Sequence, residues 1–357
     1  MSRYISSRFD ILKEYVPGEQ PQDKKYIKLN TNESPYPPSP EVLDRLNADE
    51  TAALRLYPDP DCRILREKIA ALYDVSKENV LVTNGSDEAL SFAFMAYCDA
   101  DCGVVFPAIS YGFYRVFAEL YNLQYRAIPL RDDFTIDPSD YYEAGATVVI
   151  ANPNAPTGLA LTTDVLEEIV QRNPNNIVVI DEAYVDFGGQ SMIPLTKKYE
   201  NLLVVQTFSK SRSMAGARLG YAIGSAALIA DMNKLRNSTN PYNINRLTLA
   251  AGEAAIDSQA YYDENCTRII ETRENTAAAL RALGFTMTGS STNFLFVKSP
   301  RMEGGALYRA LRERGILVRH FDSPKISDYL RITIGTPEDM CQLVESVKHI
   351  LFHSEDV

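Results

Sequence analysis

The chain has 357 residues, enough for one large and one smaller domain with a sizeable core. Its net charge of −11, with acidic and basic residues interspersed, argues against a nucleic-acid footprint. Five cysteines (Cys62, Cys98, Cys102, Cys266, Cys341) form no CxxC pair and read as reduced thiols, the histidines His320, His349 and His353 crowd the C-terminal end and suggest no metal site, and no membrane span or signal peptide is apparent, so a cytoplasmic protein is expected.

Residues 1–40 are rich in proline, tyrosine and charge and end in Leu29-Asn30-Thr31-Asn32-Glu33-Ser34-Pro35-Tyr36-Pro37-Pro38. Proline removes backbone donors, so this stretch reads as an extended arm laid over something else. Ile5, Phe9, Ile11, Leu12 and Tyr15 give it an apolar side to dock; a disordered tail is the competing reading. From Pro40 to Tyr73 the pattern is helical, broken at Arg55-Leu56-Tyr57-Pro58-Asp59-Pro60, which presents Tyr57 on a loop.

Val80–Thr83 reads as a short strand, and Asn84-Gly85-Ser86-Asp87-Glu88 leads from it into a helix beginning near Ala89. Free N–H groups at such a helix start can cradle a phosphate, although most such turns are only caps. Further strands are expected at Val104–Pro107, Thr147–Ala151, Ile177–Ile180, Leu202–Val205 and Tyr221–Gly224, alternating with helical segments such as Val165–Val170. That alternation predicts an α/β fold with a parallel sheet covered by helices, and polar loops gathered at one sheet edge. A long helix from about Tyr261 to Leu283 then carries the chain into a compact α+β unit. In it, strands at Asn293–Val297, Ile316–Arg319 and Leu330–Ile334 alternate with helices over 304–314 and 337–350.

The strand exits offer the parts that pyridoxal phosphate chemistry requires: a lysine for the aldehyde, a carboxylate for the pyridine nitrogen, a partner for the 3′ oxygen, a stacking ring and a phosphate cup. Lys210 is the candidate Schiff-base lysine and, once freed, the base that moves the substrate Cα proton. Asp181 is the candidate pyridinium partner, Tyr184 a partner for the 3′ oxygen, and Tyr111 the stacking ring in a chain without tryptophan. The turn through Gly85, Ser86 and Asp87, with Ser209, Arg218 and Tyr57, could hold the phosphate. Each part alone has a commonplace reading, such as a solvated loop lysine or a plain cap. Their coincidence at strand exits outweighs those readings.

Asn152-Pro153-Asn154-Ala155-Pro156-Thr157-Gly158, Asp181-Glu182-Ala183-Tyr184, Ser209-Lys210 and Arg218-Leu219-Gly220 resemble, in order and spacing, the class I/II, fold-type I pyridoxal-phosphate aminotransferases. Within that group, the arm segment 29–36, the 55–59 loop, the 84–88 turn and Leu330-Arg331-Ile332-Thr333-Ile334-Gly335-Thr336 look like the histidinol-phosphate aminotransferases. The resemblance implies an N-terminal arm (1–40) packed with the small domain or a partner subunit, a large cofactor-binding domain (41–260), a small C-terminal domain (261–357), a homodimer, and pyridoxal 5′-phosphate as cofactor. It implies transamination between L-histidinol phosphate and 2-oxoglutarate, giving imidazole acetol phosphate and L-glutamate in histidine biosynthesis. By the same resemblance Arg331, with Arg319 beside it, binds the substrate carboxylate and phosphate, Tyr15 and Asn32 close over the substrate, and Tyr57 reaches the cofactor phosphate of the neighbouring subunit.

One departure stands out. The family's usual asparagine on the 3′ oxygen is Ala155 here, so either Asn152 or Asn154 substitutes or Tyr184 serves that oxygen alone. The motifs do not separate this activity from threonine-phosphate decarboxylation or aromatic amino-acid transamination on the same scaffold. A non-catalytic cofactor-binding regulator is disfavoured, because there is no spare segment of ~60 residues for a helix-turn-helix.

Overall fold

The computed structural model describes residues 4–9, 12–13 and 15–352; Ile11 of the expected docking side and His353 lie outside the described residues. The arm contributes a two-residue strand, β1 (Ile27–Lys28). Next come β2 (Val80–Thr83), β3 (Val104–Pro107), β4 (Tyr125–Ile128), β5 (Thr147–Ala151), β6 (Val178–Asp181), β7 (Leu202–Thr207) and β8 (Gly220–Ile223). These seven form one sheet in the order β2-β8-β7-β6-β5-β3-β4. Neighbours are parallel except at β8, which is antiparallel to both β2 and β7.

The β-branched runs form strands because side chains alternate faces and both faces are covered. Val148 and Ile150 enter one apolar core, whereas Val149 and Ala151 enter the other. Within this sheet only β4 escapes the sequence reading. It is an edge strand whose central residues Arg126 and Ala127 are exposed, so it carries no buried apolar run.

The expected break in the first helical region is present: helices at Pro40–Arg45 and Ala48–Ala52 are separated from Arg63–Leu72 by the proline-bearing loop. The Ser39 side chain caps the first of them, with Pro40 at its first position, where a missing N–H costs nothing. The helix expected from Ala89 starts earlier and runs Gly85–Tyr97.

The helix Gln259–Ala282 leads to β9 (Thr286–Met287), β10 (Phe294–Lys298), β11 (Ile316–Leu317), β12 (Arg319–His320) and β13 (Tyr329–Thr333), with helices Gly304–Glu313 and Pro337–Phe352. The stretch expected as one strand over 316–319 is two. β11 pairs in parallel with β1 of the arm, and β12 joins the antiparallel sheet β12-β13-β10-β9. A third apolar core lies here and includes Leu29 of the arm. Arg319 stands directly opposite Arg331 across the β12–β13 pair.

Candidate active site

The carboxyl ends of the parallel strands deliver their loops to one edge of the large sheet, the usual place for a ligand in this architecture. Because β8 runs the other way, its first residue, Gly220, lies at that same edge, opposite Thr83 of β2 and Thr207 of β7. Antiparallel β8 therefore brings Arg218 beside Lys210, and the helix Gly85–Tyr97 starts next to both.

A cavity of about 280 Å³ opens there, lined by Ser86, Asp87, Tyr111, Asp181, Ser209 and Lys210 among others. Asp181, at the end of β6, is buried; its carboxylate accepts from the Tyr114 hydroxyl at 2.7 Å and from the Ala183 N–H at 3.2 Å. Burial raises its pKa to about 6, against the pull of those two donors. Lys210 donates from Nζ to the Thr31 carbonyl of the arm at 3.2 Å. Burial, helped by the Arg331 charge, lowers its pKa to about 8, so its neutral form, still the minority near neutrality, is far more populated than that of an ordinary lysine.

At one end of the cavity is an anion cradle. The first-turn N–H groups of the helix that starts at Gly85 have no partner within the helix, and the Asn84 side chain does not cap them. Arg218, in the left-handed region (φ 55°), donates to Ser209 Oγ at 3.4 Å and to Asp87 Oδ2 at 3.2 Å. Two glycines keep the cradle open. A Cβ on Gly85 (φ +75°) would come within 2.7 Å of Arg218 Nη2, and one on Gly220 within 2.5 Å of the Ser86 nitrogen. Tyr111 donates its hydroxyl to Asp87 Oδ1 at 2.7 Å, which fixes its ring at the cavity wall. The donor set, the buried carboxylate and the low-pKa amine fit pyridoxal phosphate.

A second cavity of about 530 Å³ adjoins the first; Thr31, Tyr111, Ala155, Tyr184 and Lys210 line both. Its roof comes from the arm and the small sheet. Arg331 donates from Nη2 to the Asn30 carbonyl at 3.1 Å, while its buried Nε has no hydrogen-bond partner among the described residues. Tyr15 packs on Phe113 with ring centroids 4.5 Å apart. Asn32 donates to the Tyr184 hydroxyl at 2.8 Å, and Thr333 donates to Asn32 Oδ1 at 3.0 Å.

The structure thus gathers Lys210, Asp181, Tyr184, Tyr111, Ser86, Asp87, Ser209, Arg218, Arg331, Tyr15 and Asn32 around the two cavities. Three expectations meet a different geometry. The amides of Asn152 and Asn154 are engaged elsewhere: Asn152 with the Leu161 backbone, Asn154 with Ile109 O, Thr157 and Ser110. Neither lines either of these two cavities; Ala155 lines both. Pro153 and Pro156 supply no N–H in this turn, and the asparagine side chains provide the missing donors. Arg319 lines the larger cavity, but both its Nη atoms donate to arm carbonyls, to Pro17 at 3.2 Å and Val16 at 3.0 Å. Tyr57 is 78% exposed, stacked on Tyr242 outside both cavities.

Tyr114 was absent from the sequence candidates. Its signal was its place in the first turn of the helix Phe113–Leu120, directly after the loop that carries Tyr111.

The chain matches the family model "Aminotransferase class I and II" over residues 24–347. It is 49% identical over 352 residues to the histidinol-phosphate aminotransferase of Brachyspira hyodysenteriae, covering 98% of this chain and 99% of that one. It is 50% identical to the same-named protein of a Marinomonas species, again over 98% and 99%. Among solved structures, the histidinol-phosphate aminotransferase of Sinorhizobium meliloti in complex with pyridoxal-5′-phosphate superposes with a TM-score of 0.83 at 23% identity, over 92% of each chain, and shows the shared fold. The chain belongs to the class I and II aminotransferases, in the branch of the histidinol-phosphate aminotransferases.

Proposed function

We infer that this chain is a pyridoxal-phosphate-dependent transaminase that moves the amino group of L-histidinol phosphate to 2-oxoglutarate in histidine biosynthesis. The observation that carries the substrate side is Arg331, a guanidinium whose buried Nε has no partner among the described residues, at the wall of the cavity that opens onto Lys210. A buried guanidinium with an unused donor favours a carboxylate or phosphate, and both substrates bring one.

Bound pyridoxal phosphate supplies an electron-withdrawing ring that lets an amino group pass between carbon skeletons. The chain's residues do the rest. The Lys210 amine, with its lowered pKa, takes and returns the Cα proton. Asp181 holds the proton on the ring nitrogen, and the Tyr114 hydrogen bond favours its ionised form. Ser86, Asp87, Ser209 and Arg218 would hold the cofactor phosphate, Tyr111 would stack on the ring, and Tyr184 would serve the 3′ oxygen without an amide at position 155. Arg331 orients the substrate anion, while Tyr15 and Asn32 cover it and keep out water.

The division into an arm (1–40), a large domain (41–260) and a small domain (261–357) belongs to the same reading, as do a homodimer and a cytosolic location. The exposed Leu54, Leu56, Tyr57 and Tyr242 support a second copy as partner. Among the described residues no helix is long and apolar enough to cross a membrane. The deciding assay is 2-oxoglutarate-dependent loss of histidinol phosphate by purified protein, with CO2 release from threonine phosphate followed in parallel. Turnover of the first without the second is expected; failure to transaminate histidinol phosphate rejects the reading.

A further inference from the structure

We propose that Glu182 and Gln206 form a clamp behind the catalytic edge that sets the orientation of Asp181 relative to Lys210, acting as positioning residues for the transamination. The inference rests on the cofactor reading given above.

Glu182 follows Asp181 at the exit of β6, and successive residues of an extended strand face opposite sides of the sheet. Asp181 lines the smaller cavity; Glu182 does not, and is only 2% exposed. Its Oε1 accepts from the Met192 N–H at 2.6 Å, and its Oε2 from Ser191 Oγ at 2.6 Å and Gln206 Nε2 at 2.7 Å. Gln206 lies on β7, four residues before Lys210. Its Oε1 lies 2.8 Å from the Tyr73 hydroxyl and 2.5 Å from the Tyr221 hydroxyl, which are themselves 2.8 Å apart, so the two phenol protons serve two of these three contacts at a time. One side-chain pair therefore ties the strand end that carries Asp181 to the strand that leads into Lys210. The backbone adds a parallel tie, Glu182 N–H to Val205 O at 2.8 Å.

Stability alone is a poor reason for this arrangement. Among the described residues no cation lies within salt-bridge distance of Glu182, so a buried carboxylate is held by neutral donors only. A well-packed apolar pair would avoid that desolvation cost. Directional hydrogen bonds fix the relative angle of two strand ends, which apolar packing does not. Each side-chain oxygen of Glu182 and Gln206 accepts at least one hydrogen bond, so a rotation of either strand end strains these contacts.

The test uses the cofactor-loaded protein and reads three quantities: kcat and KM, the midpoint of the pH titration of the Lys210-dependent visible absorption band, and Tm. For Glu182→Gln, kcat is expected to fall about tenfold with KM nearly unchanged, the scale for a reacting group displaced by a fraction of an ångström. The titration midpoint should move at the same time. The double variant Glu182→Gln with Gln206→Glu restores an acid–amide pair across the two strands and should recover both readouts. A Glu182→Gln protein that melts lower but keeps the wild-type titration midpoint and kcat overturns the proposal, since that is the mark of a merely structural contact. If Glu182→Gln does not fold, Ser191→Ala decides in its place. It removes one donor to Glu182 from a half-buried loop, and an unmoved midpoint again overturns the clamp. Absence of any Lys210-dependent band in the unaltered protein rejects the cofactor reading and the clamp with it.

Discussion

The floor and the roof of the active site are built in different ways. The floor, with Lys210, Asp181, Ser209, Arg218 and Ser86, stands on adjacent strands of one sheet, and ladder hydrogen bonds between neighbours fix its geometry. The roof, with Thr31, Asn32, Tyr15, Arg319 and Arg331, joins an arm to a separate small sheet through contacts between residues about three hundred positions apart, such as Asn32 N–H to Thr333 Oγ1 at 3.0 Å (a separation of 301). A rigid floor can keep one reaction type while a separately built roof selects the substrate, so damage to the two should read out differently.

The largest effect should come from the floor. Lys210→Ala is expected to lose about a thousandfold or more in kcat, together with the visible band, because it removes both the cofactor anchor and the base. A kcat within about tenfold of the unaltered protein, or a retained band, breaks the assignment. In the roof, Arg331→Ala should lower kcat/KM about a hundredfold for histidinol phosphate and for glutamate alike, through the loss of charge-assisted hydrogen bonds. Loss with only one of the two substrates shows that they do not share the arginine.

Tyr114→Phe sharpens the floor side, with an expected loss of about tenfold at neutral pH from one hydrogen bond to a charged group. The sign of its pH effect follows from Asp181. Burial pushes that carboxyl up to about 6 and the Tyr114 hydroxyl pulls it down, so deleting the hydroxyl raises it further. The ionised form is the useful one, and the acid limb of the kcat/KM profile should therefore move to higher pH; an unmoved limb separates Tyr114 from Asp181. The smallest change is Arg319→Ala. Its donors hold Val16 and Pro17, so a few-fold rise in KM is expected with faster proteolysis of the arm, at about 1 kcal/mol per hydrogen bond. A hundredfold loss there, equal to that at Arg331, would make Arg319 a direct anion ligand instead.

The same contrast explains what was legible in the sequence. Floor residues sit beside short β-branched runs bounded by polar turns, and such runs announce their strands locally. Edge strand β4 was silent because exposed Arg126 and Ala127 hide the pattern. The stretch Ile316–Arg319 looked like one strand because nothing local says that Leu317 serves the arm while Arg319 serves β13. The roles of Asn152 and Asn154 were misleading for a related reason. A turn with two prolines is short of N–H groups, and its side-chain amides are drawn to neighbouring carbonyls rather than to a ligand. The partners of Arg319 depended on where the arm lies, which spacing does not encode.

The pairing of β1 with β11, extended by Leu29 N–H to Leu317 O at 2.8 Å and Thr333 N–H to Leu29 O at 3.0 Å, also orders events in time. A growing chain presents the arm early, but the backbone partners of Ile27–Leu29 emerge only after the whole large sheet has been made. The entropic cost of closing so long a loop grows only logarithmically with its length, while the wait is set by the rate of synthesis. Until then Leu29 lacks most of the core it enters, and a nascent chain halted before residue 316 carries Lys210 without the strand that pairs with β1.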